Sequence, residues 1–137
     1  MTTMSIERTV EFRRKGHGGR KELREAETPR PTVLGRVPRV SRLLALAIRF
    51  EGLVRSGAVA NYAELARLGQ VSEARISQIM DLQLLAPDIQ EAIMFLPRTE
   101  SGRDPIILRD LLPIAAKRDW KKQRRLWAEL TANEASR

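Results

Sequence analysis

The chain has 137 residues and a formal net charge of +8 at pH 7, with no cysteine and a single histidine. This length is enough for one domain with a hydrophobic core, and the composition excludes disulfides, thiolate metal sites and cysteine nucleophiles, so we expect no metal and no cofactor. Because the sequence contains neither a run of about eighteen apolar residues nor an apolar N-terminal segment, we also expect no membrane association and a cytoplasmic location.

Residues 1–38 are predicted to form a basic, largely disordered arm. Glycines between positions 16 and 19 and prolines at 29, 31 and 38 interrupt any periodic pattern. Such a segment buries too little apolar surface to offset its conformational entropy, although a brief extended element around Val10 and a short helix over 20–26 are predicted within it. The arm is either a solvated tail or a DNA contact, with Arg36 and the following Arg39 as candidate phosphate ligands.

Apolar residues at helical spacing predict a helix over residues 41–56, with Ser41 as its N-cap. Two shorter helices are predicted over 62–68 and 73–83. Asn61 and Ser72 are the N-caps of these two helices, and Gly69 is expected to end the first of them. Two short helices joined by a turn of about three residues are typical of a helix-turn-helix, whose second helix enters the major groove of DNA.

The spacing of small and branched residues supports this interpretation. Ala66 stands ten residues before Ile76, which allows close packing of the two helices, and Val71 and Ile79 are predicted to complete the same core. The turn glycine usually follows the small residue by four positions, whereas Gly69 follows it by three. Either Gln70 adopts the left-handed conformation or the turn is rebuilt. The alternative to DNA binding is a helical hairpin with the same packing that contacts another protein.

The predicted recognition helix leaves several polar side chains free to meet a major groove. Arg75 matches the O6 and N7 acceptors of guanine, and Gln78 matches N6 and N7 of adenine. Glu73 either accepts a hydrogen bond from cytosine or stabilises the helix N-terminus. The candidate DNA-binding residues are Ser72, Glu73, Ala74, Arg75, Ser77 and Gln78.

Three further helices are predicted after this unit, which makes the fold all-α. One begins at Pro87 and ends before Pro97, and a second spans 106–116, where Pro113 predicts a kink or two shorter pieces. The last covers 120–131 and carries Trp120 and Trp127, which either belong to the core or anchor an interface. We therefore divide the chain into an arm (1–38), a helix-turn-helix domain (39–97) and a helical extension (98–137).

The positive charge is concentrated at the two ends of the sequence. Residues 39–116 contain nine basic and nine acidic side chains, whereas the flanks contain nine against five and seven against three. If the protein binds DNA, this distribution predicts that the flanks contact phosphates. The basic cluster of the last helix is otherwise an ordinary solvated face. Its candidate phosphate contacts are Lys117, Arg118, Lys121, Lys122, Arg124 and Arg125.

About a quarter of the chain resembles the helix-turn-helix of the ParB/KorB family of partition proteins, which reads approximately LAxxLGxSxxxVSxxLxLLxLPxxIQ. The matching residues are Glu64, Leu65, Ala66, Ser72, Ile76, Ser77, Gln78, Leu82, Leu84, Leu85, Pro87, Ile89 and Gln90. The resemblance implies sequence-specific binding of double-stranded DNA, with residues 73–75, Ser77 and Gln78 at the groove. It does not extend to the family's N-terminal nucleotide-binding region.

These features together predict a non-enzymatic, nucleoid-associated DNA-binding protein, either a small regulator or an accessory protein in the recombination of a mobile element. A helix-turn-helix monomer reads only a few base pairs, so a homodimer or a protein partner is expected. The alternative is an interaction module that binds RNA or an acidic protein through its basic flanks. No residue spacing in the sequence suggests a catalytic site.

Overall fold

The structure, a computed structural model, describes residues 10–15, 20–25 and 34–137. It separates into two units, residues 1–33 and residues 34–137. In the first unit, strands β1 (Val10–Lys15) and β2 (Arg20–Glu25) form an antiparallel hairpin in which Val10 is opposite Glu25. β1 corresponds to the extended element predicted around Val10. Residues 34–38 of the predicted arm are ordered as well, because Arg36 forms a bridge with Thr99 and Pro38 is the N-cap of the first helix. Apart from the two strands, the rest of the arm lies outside the described ranges.

The short helix predicted over 20–26 is wrong, because residues 20–25 form β2. A helix of six or seven residues has too few internal hydrogen bonds to offset its nucleation cost. In the hairpin, the backbone groups of this segment find partners on β1 instead.

The second unit contains six helices and no strand within residues 34–137, which confirms the predicted all-α fold. A 3₁₀ turn over Leu82–Leu84 follows the third helix. The helices are α1 (Arg39–Arg55), α2 (Tyr62–Gly69), α3 (Glu73–Asp81), α4 (Pro87–Met94), α5 (Leu108–Ala115) and α6 (Trp120–Ala135).

The first helix begins earlier than predicted, and Ser41 is not its N-cap. Pro38 occupies the N-cap position with a φ of −54°, which suits the fixed ring of proline. Ser41 is buried inside α1, and its hydroxyl donates a hydrogen bond of 2.6 Å to the carbonyl of Ile93. The serine therefore joins α1 to α4, a role that depends on a residue 52 positions away.

Several other helix ends also differ from the predicted ones. Gly69 is the last residue of α2 and not the residue after it, and Gln70 is the C-cap. The predicted 73–83 helix becomes α3 followed by the 3₁₀ turn, and α4 stops at Met94 before Pro97. α6 is longer than predicted.

Pro113 does not divide α5 into two pieces, because the helix continues through it to Ala115. In a helix of eight residues the proline removes a single backbone hydrogen bond. The burial of Leu111 and Ile114 on either side of it holds the helix in place.

The core consists of two hydrophobic clusters. The first cluster is centred on the 3₁₀ turn, α4 and α5, and it includes Leu82, Leu85, Ile89, Ile93, Leu111 and Ile114. The second cluster lies within the helix-turn-helix and contains Ala47, Val59, Leu65, Ala66, Ile76, Ile79 and Met80. Leu43 of α1 packs against both clusters and connects them.

The last helix contributes Trp127 and Leu130 to the first cluster. Trp120 remains 47% exposed and lies outside the core. The side chain that is fully buried on α6 is Gln123. Its Oε1 accepts a hydrogen bond of 2.8 Å from the backbone N–H of Ala86, and its Nε2 donates to the carbonyls of Leu84 (3.1 Å) and Lys117 (2.7 Å).

Candidate nucleic-acid interface

The two helices of the helix-turn-helix are capped by their own flanking residues. Asn61 Oδ1 accepts a hydrogen bond of 2.9 Å from the backbone N–H of Glu64, and the Glu64 carboxylate accepts one from the N–H of Ala60. Ser72 Oγ accepts a hydrogen bond of 3.1 Å from the N–H of Arg75. Both predicted N-caps are present, because a cap depends only on residues within one turn of it.

The turn between α2 and α3 is made by Gln70. It adopts the left-handed conformation, with φ 53° and ψ 41°. Of the two predicted alternatives, this is the one in which Gln70 takes the place of the glycine. The turn is closed by a hydrogen bond of 3.0 Å from the N–H of Val71 to the carbonyl of Ala66. A left-handed conformation costs a non-glycine residue about 1–2 kcal/mol, which the packing on both sides of the turn must offset.

The inner face of α3 is fixed by packing against α2 and α1. Ala66 and Ile76 are 5% and 2% exposed, and Ile79 is also buried, as the spacing predicted. The prediction for Val71 is wrong, since its side chain is 44% exposed and does not belong to this core. α2 nevertheless packs across α3, because the small Ala66 allows a close approach.

The outer face of α3 carries the predicted base-reading residues. The structure places Ser72, Glu73, Ala74, Ser77 and Gln78 in exposed positions, and Arg75 is half-buried. All six therefore lie on or beside one helix, away from its apolar side.

A groove of about 690 Å³ lies beside this face. Arg75 and Gln78 of α3 line one side of it, while α1, the loop over 98–105 and the beginning of α5 supply the rest. Its apolar lining includes Leu43, Leu108 and Leu112. The charged side chains that line it are Arg36, Arg39, Arg75, Arg103, Arg109 and Asp104.

We call this feature the arginine groove. It contains five arginines and a single aspartate, and four of these arginines come from residues 39–116, which are neutral in total. The folding of the chain has therefore separated charges that are balanced along the sequence. Arg103 and Arg109 were not among the predicted site residues, because they come from a loop and from the start of a helix with no motif around them.

Asp104 holds one wall of the arginine groove together. Its carboxylate accepts hydrogen bonds from the backbone N–H of Arg39 (2.9 Å), the hydroxyl of Thr99 (2.6 Å) and the guanidinium of Arg36 (3.2 Å). The Arg39 N–H, and after it the Thr99 hydroxyl, hold the pKa of Asp104 below its usual value. Three donors thus balance the negative charge of this side chain.

The same wall contains a short antiparallel bridge between Arg36 and Thr99. The N–H of each residue donates to the carbonyl of the other, at 3.0 and 2.9 Å. The Arg36 guanidinium also donates to the carbonyl of Gly102 at 2.6 Å. Arg36, predicted as a phosphate ligand, is therefore mainly an internal support of the groove.

The basic cluster over residues 117–125, at the start of α6 and just before it, does not line the arginine groove. Its six predicted phosphate ligands are all exposed. Arg124 forms an ion pair of 3.0 Å with Asp88, which lowers the pKa of that carboxyl, and it lies 5.9 Å from the centre of the Trp120 ring. These contacts give Arg124 partners within the protein.

Among the described residues, no group of three acidic, histidine or cysteine side chains is arranged to hold a metal ion. None of the helices over these residues is long and apolar enough to cross a membrane. Comparisons with protein-family models, curated proteins and solved structures found no match to this chain.

Proposed function

We propose that this chain binds double-stranded DNA sequence-specifically and places α3 in the major groove. The observation that carries the proposal is the α2–turn–α3 unit. Its inner face is packed on α1, and its outer face presents Arg75, Ser77 and Gln78 beside the arginine groove. This is the arrangement that helix-turn-helix proteins use to read base edges.

The exposed residues of α3 match the chemistry of the major groove. The Arg75 guanidinium pairs with O6 and N7 of guanine, and the Gln78 amide pairs with N6 and N7 of adenine. The methyl group of Ala74 fits an apolar contact with thymine. Ser72 and Ser77 contribute hydroxyls for a phosphate or a base edge, and Glu73 stabilises the N-terminus of α3.

The resemblance to the ParB/KorB helix-turn-helix supports the same function. It includes both the residues that form the small core and the continuation through Leu85 to Gln90. The side-chain amide of Gln90 donates hydrogen bonds to the carbonyls of Gln83 (3.0 Å) and Leu85 (2.8 Å), so this continuation supports the end of the α3 segment. The proposal covers DNA binding by a regulator or a recombination accessory protein, and it includes no nucleotide-dependent activity and no catalysis.

The proposal is tested by selecting bound sequences from a pool of random duplexes and then comparing Arg75→Ala with Arg49→Ala. Both changes remove one exposed or half-exposed arginine, but Arg49 lies on α1 outside the arginine groove. We expect Arg75→Ala to lose the preference at one base pair, at a cost of about 1–3 kcal/mol, because a bidentate contact to guanine is lost. Arg49→Ala should keep the full preference.

A second candidate function is binding of RNA or an acidic protein through the exposed basic face of α6. The observation in its favour is that this face is solvent-exposed along the whole cluster. If this second function is correct, the selection gives no consensus sequence, and the Arg75→Ala variant binds every duplex as the wild type does. Either result contradicts the reading of bases by α3.

A further inference from the structure

We propose that the arginine groove binds the sugar-phosphate backbone of DNA next to the major groove that α3 enters, with Arg39, Arg103 and Arg109 as the phosphate ligands. This inference rests on the proposed function, and it assigns the backbone contacts to the centre of the fold instead of the basic α6.

The charge of the groove supports this assignment. Within residues 34–137, no carboxylate lies within ion-pair distance of Arg39, Arg103 or Arg109, and all three are exposed. Cations gathered in one concave surface repel one another and attract an anion. The planar guanidinium also matches the oxygens of a phosphate in a bidentate manner.

The position of the groove beside α3 supports the same assignment. Arg75 and Gln78 belong both to the outer face of α3 and to the lining of the groove, so the two surfaces are continuous. A helix in the major groove, which is about 12 Å wide, has a phosphate backbone on each side. Side chains that project beside α3 from α1, the 98–105 loop and α5 therefore reach one of these backbones.

The rigid wall of the groove also favours binding. The wall that carries Arg39 and Arg103 is held by the Arg36–Thr99 bridge and by the three hydrogen bonds to Asp104. Arg109 lies in the first turn of α5, where the Asp110 carboxylate accepts a hydrogen bond of 3.0 Å from the N–H of Ile107. A site whose backbone is already ordered loses less entropy when it binds.

Asp104 is the one acidic side chain in the groove. Its side chain is only 10% exposed, and its oxygens already accept hydrogen bonds from Arg39, Thr99 and Arg36. Its charge is therefore directed into the wall of the groove and not toward a ligand. It orders the backbone at Arg39 and the side chain of Arg36, and it forms no hydrogen bond with the guanidinium of Arg39, Arg103 or Arg109.

The test compares two double variants that each remove two positive charges from exposed positions. Arg103→Ala/Arg109→Ala changes the groove, and Lys121→Ala/Lys122→Ala changes α6. Binding to the selected duplex and to a scrambled duplex is measured by fluorescence anisotropy over a series of NaCl concentrations, and thermal unfolding checks that both variants fold.

We expect the groove variant to reduce the slope of log K against log salt by about 2, because each phosphate contact releases about one counterion. It should weaken binding to both duplexes by the same factor and so keep the sequence preference of the wild type. The α6 variant should keep the slope of the wild type. Arg103→Lys/Arg109→Lys, which retains the charges, should restore most of the slope.

The inference is overturned if the groove variant has the slope of the wild type, or if both double variants lose the same amount, since net charge alone then explains the effect. Failure of the proposed function looks different. In that case the wild-type protein itself shows no preference for the selected duplex over the scrambled one.

Discussion

At the scale of single residues, Gly35 marks a close approach of two chain segments. Its φ is +88°, and a Cβ atom added there would meet the carbonyl oxygen of Thr99 at 2.8 Å. Gly102 has a similar φ of +72°, but a Cβ atom there would meet nothing within 4 Å. The two glycines thus separate the effect of backbone conformation from that of close contact.

We predict that Gly35→Ala destabilises the protein by roughly 2–4 kcal/mol, which is the cost of a left-handed alanine plus the disruption of the Arg36–Thr99 bridge. Gly102→Ala should cost only about 1–2 kcal/mol, since it adds backbone strain alone. Urea unfolding followed by circular dichroism measures both values. Equal losses would show that the contact with Thr99 is unimportant.

Asp104 makes the stability of this wall dependent on pH. Because its pKa is lowered in the folded state, its contribution is complete above the ordinary value of about 3.9 and is lost as the pH falls from there through the lowered pKa. We predict that Asp104→Asn is less stable than the wild type by about 1–3 kcal/mol at pH 7 and that the difference disappears in acid.

Urea unfolding at pH 7 and at pH values below 4 tests this prediction. Asp88→Asn is the matched control, because the pKa of Asp88 is also lowered but its ion pair with Arg124 lies on the surface. A surface pair contributes little to stability, so this change should have a smaller effect at every pH. If Asp104→Asn keeps its deficit in acid, the carboxylate is not the cause.

At the scale of elements, Gln123 connects α6 to the segment between the 3₁₀ turn and α4. It is fully buried and bonds to the backbone of Leu84, Ala86 and Lys117. Ala86 is the N-cap residue of α4 and has no side-chain cap of its own. The Gln123 amide therefore provides hydrogen-bond partners for backbone groups that have none within α4 or α6.

We predict that Gln123→Leu destabilises the protein by about 2–4 kcal/mol, because buried backbone groups lose their partners while the apolar volume is nearly kept. Lys122→Leu, on the exposed neighbouring position, should change stability by less than about 0.5 kcal/mol. Thermal unfolding of both variants gives the comparison. A loss below about 1 kcal/mol for Gln123→Leu would indicate that water replaces the amide.

Most of the helices and caps were predictable from the sequence. The exceptions at Ser41 and Gln123 share a cause, because both side chains bond to distant segments of the chain. The N-caps Asn61 and Ser72 are present as predicted, since each bonds to an N–H only three residues away. Ser41 has the same chemistry but bonds to Ile93. The buried position of Gln123 likewise depends on a segment 37 residues distant, so the apolar pattern of α6 did not reveal it.

At the scale of the whole molecule, the two hydrophobic clusters meet at Leu43 on α1. One cluster contains the helix-turn-helix, and the other contains the 3₁₀ turn and the helices that follow it. The residues predicted as a separate helical extension contribute Leu111, Ile114 and Trp127 to the cluster around the 3₁₀ turn, beside Val40 and Leu44 of α1. The orientation of α3 and the position of α5 are thus fixed within one packed unit.

The sequence by itself determined the helix-turn-helix, its caps and the outward residues of α3, because helical periodicity and capping are local properties. It also determined the neutral charge of residues 39–116. Only the tertiary structure decided that Gln70 makes the turn and that Arg39, Arg103 and Arg109 share one groove with Arg75. Arg39, Arg75 and the segment with Arg103 and Arg109 are far apart in the chain, and their proximity depends on how α1, α3 and α5 pack, which the charge count along the sequence does not contain.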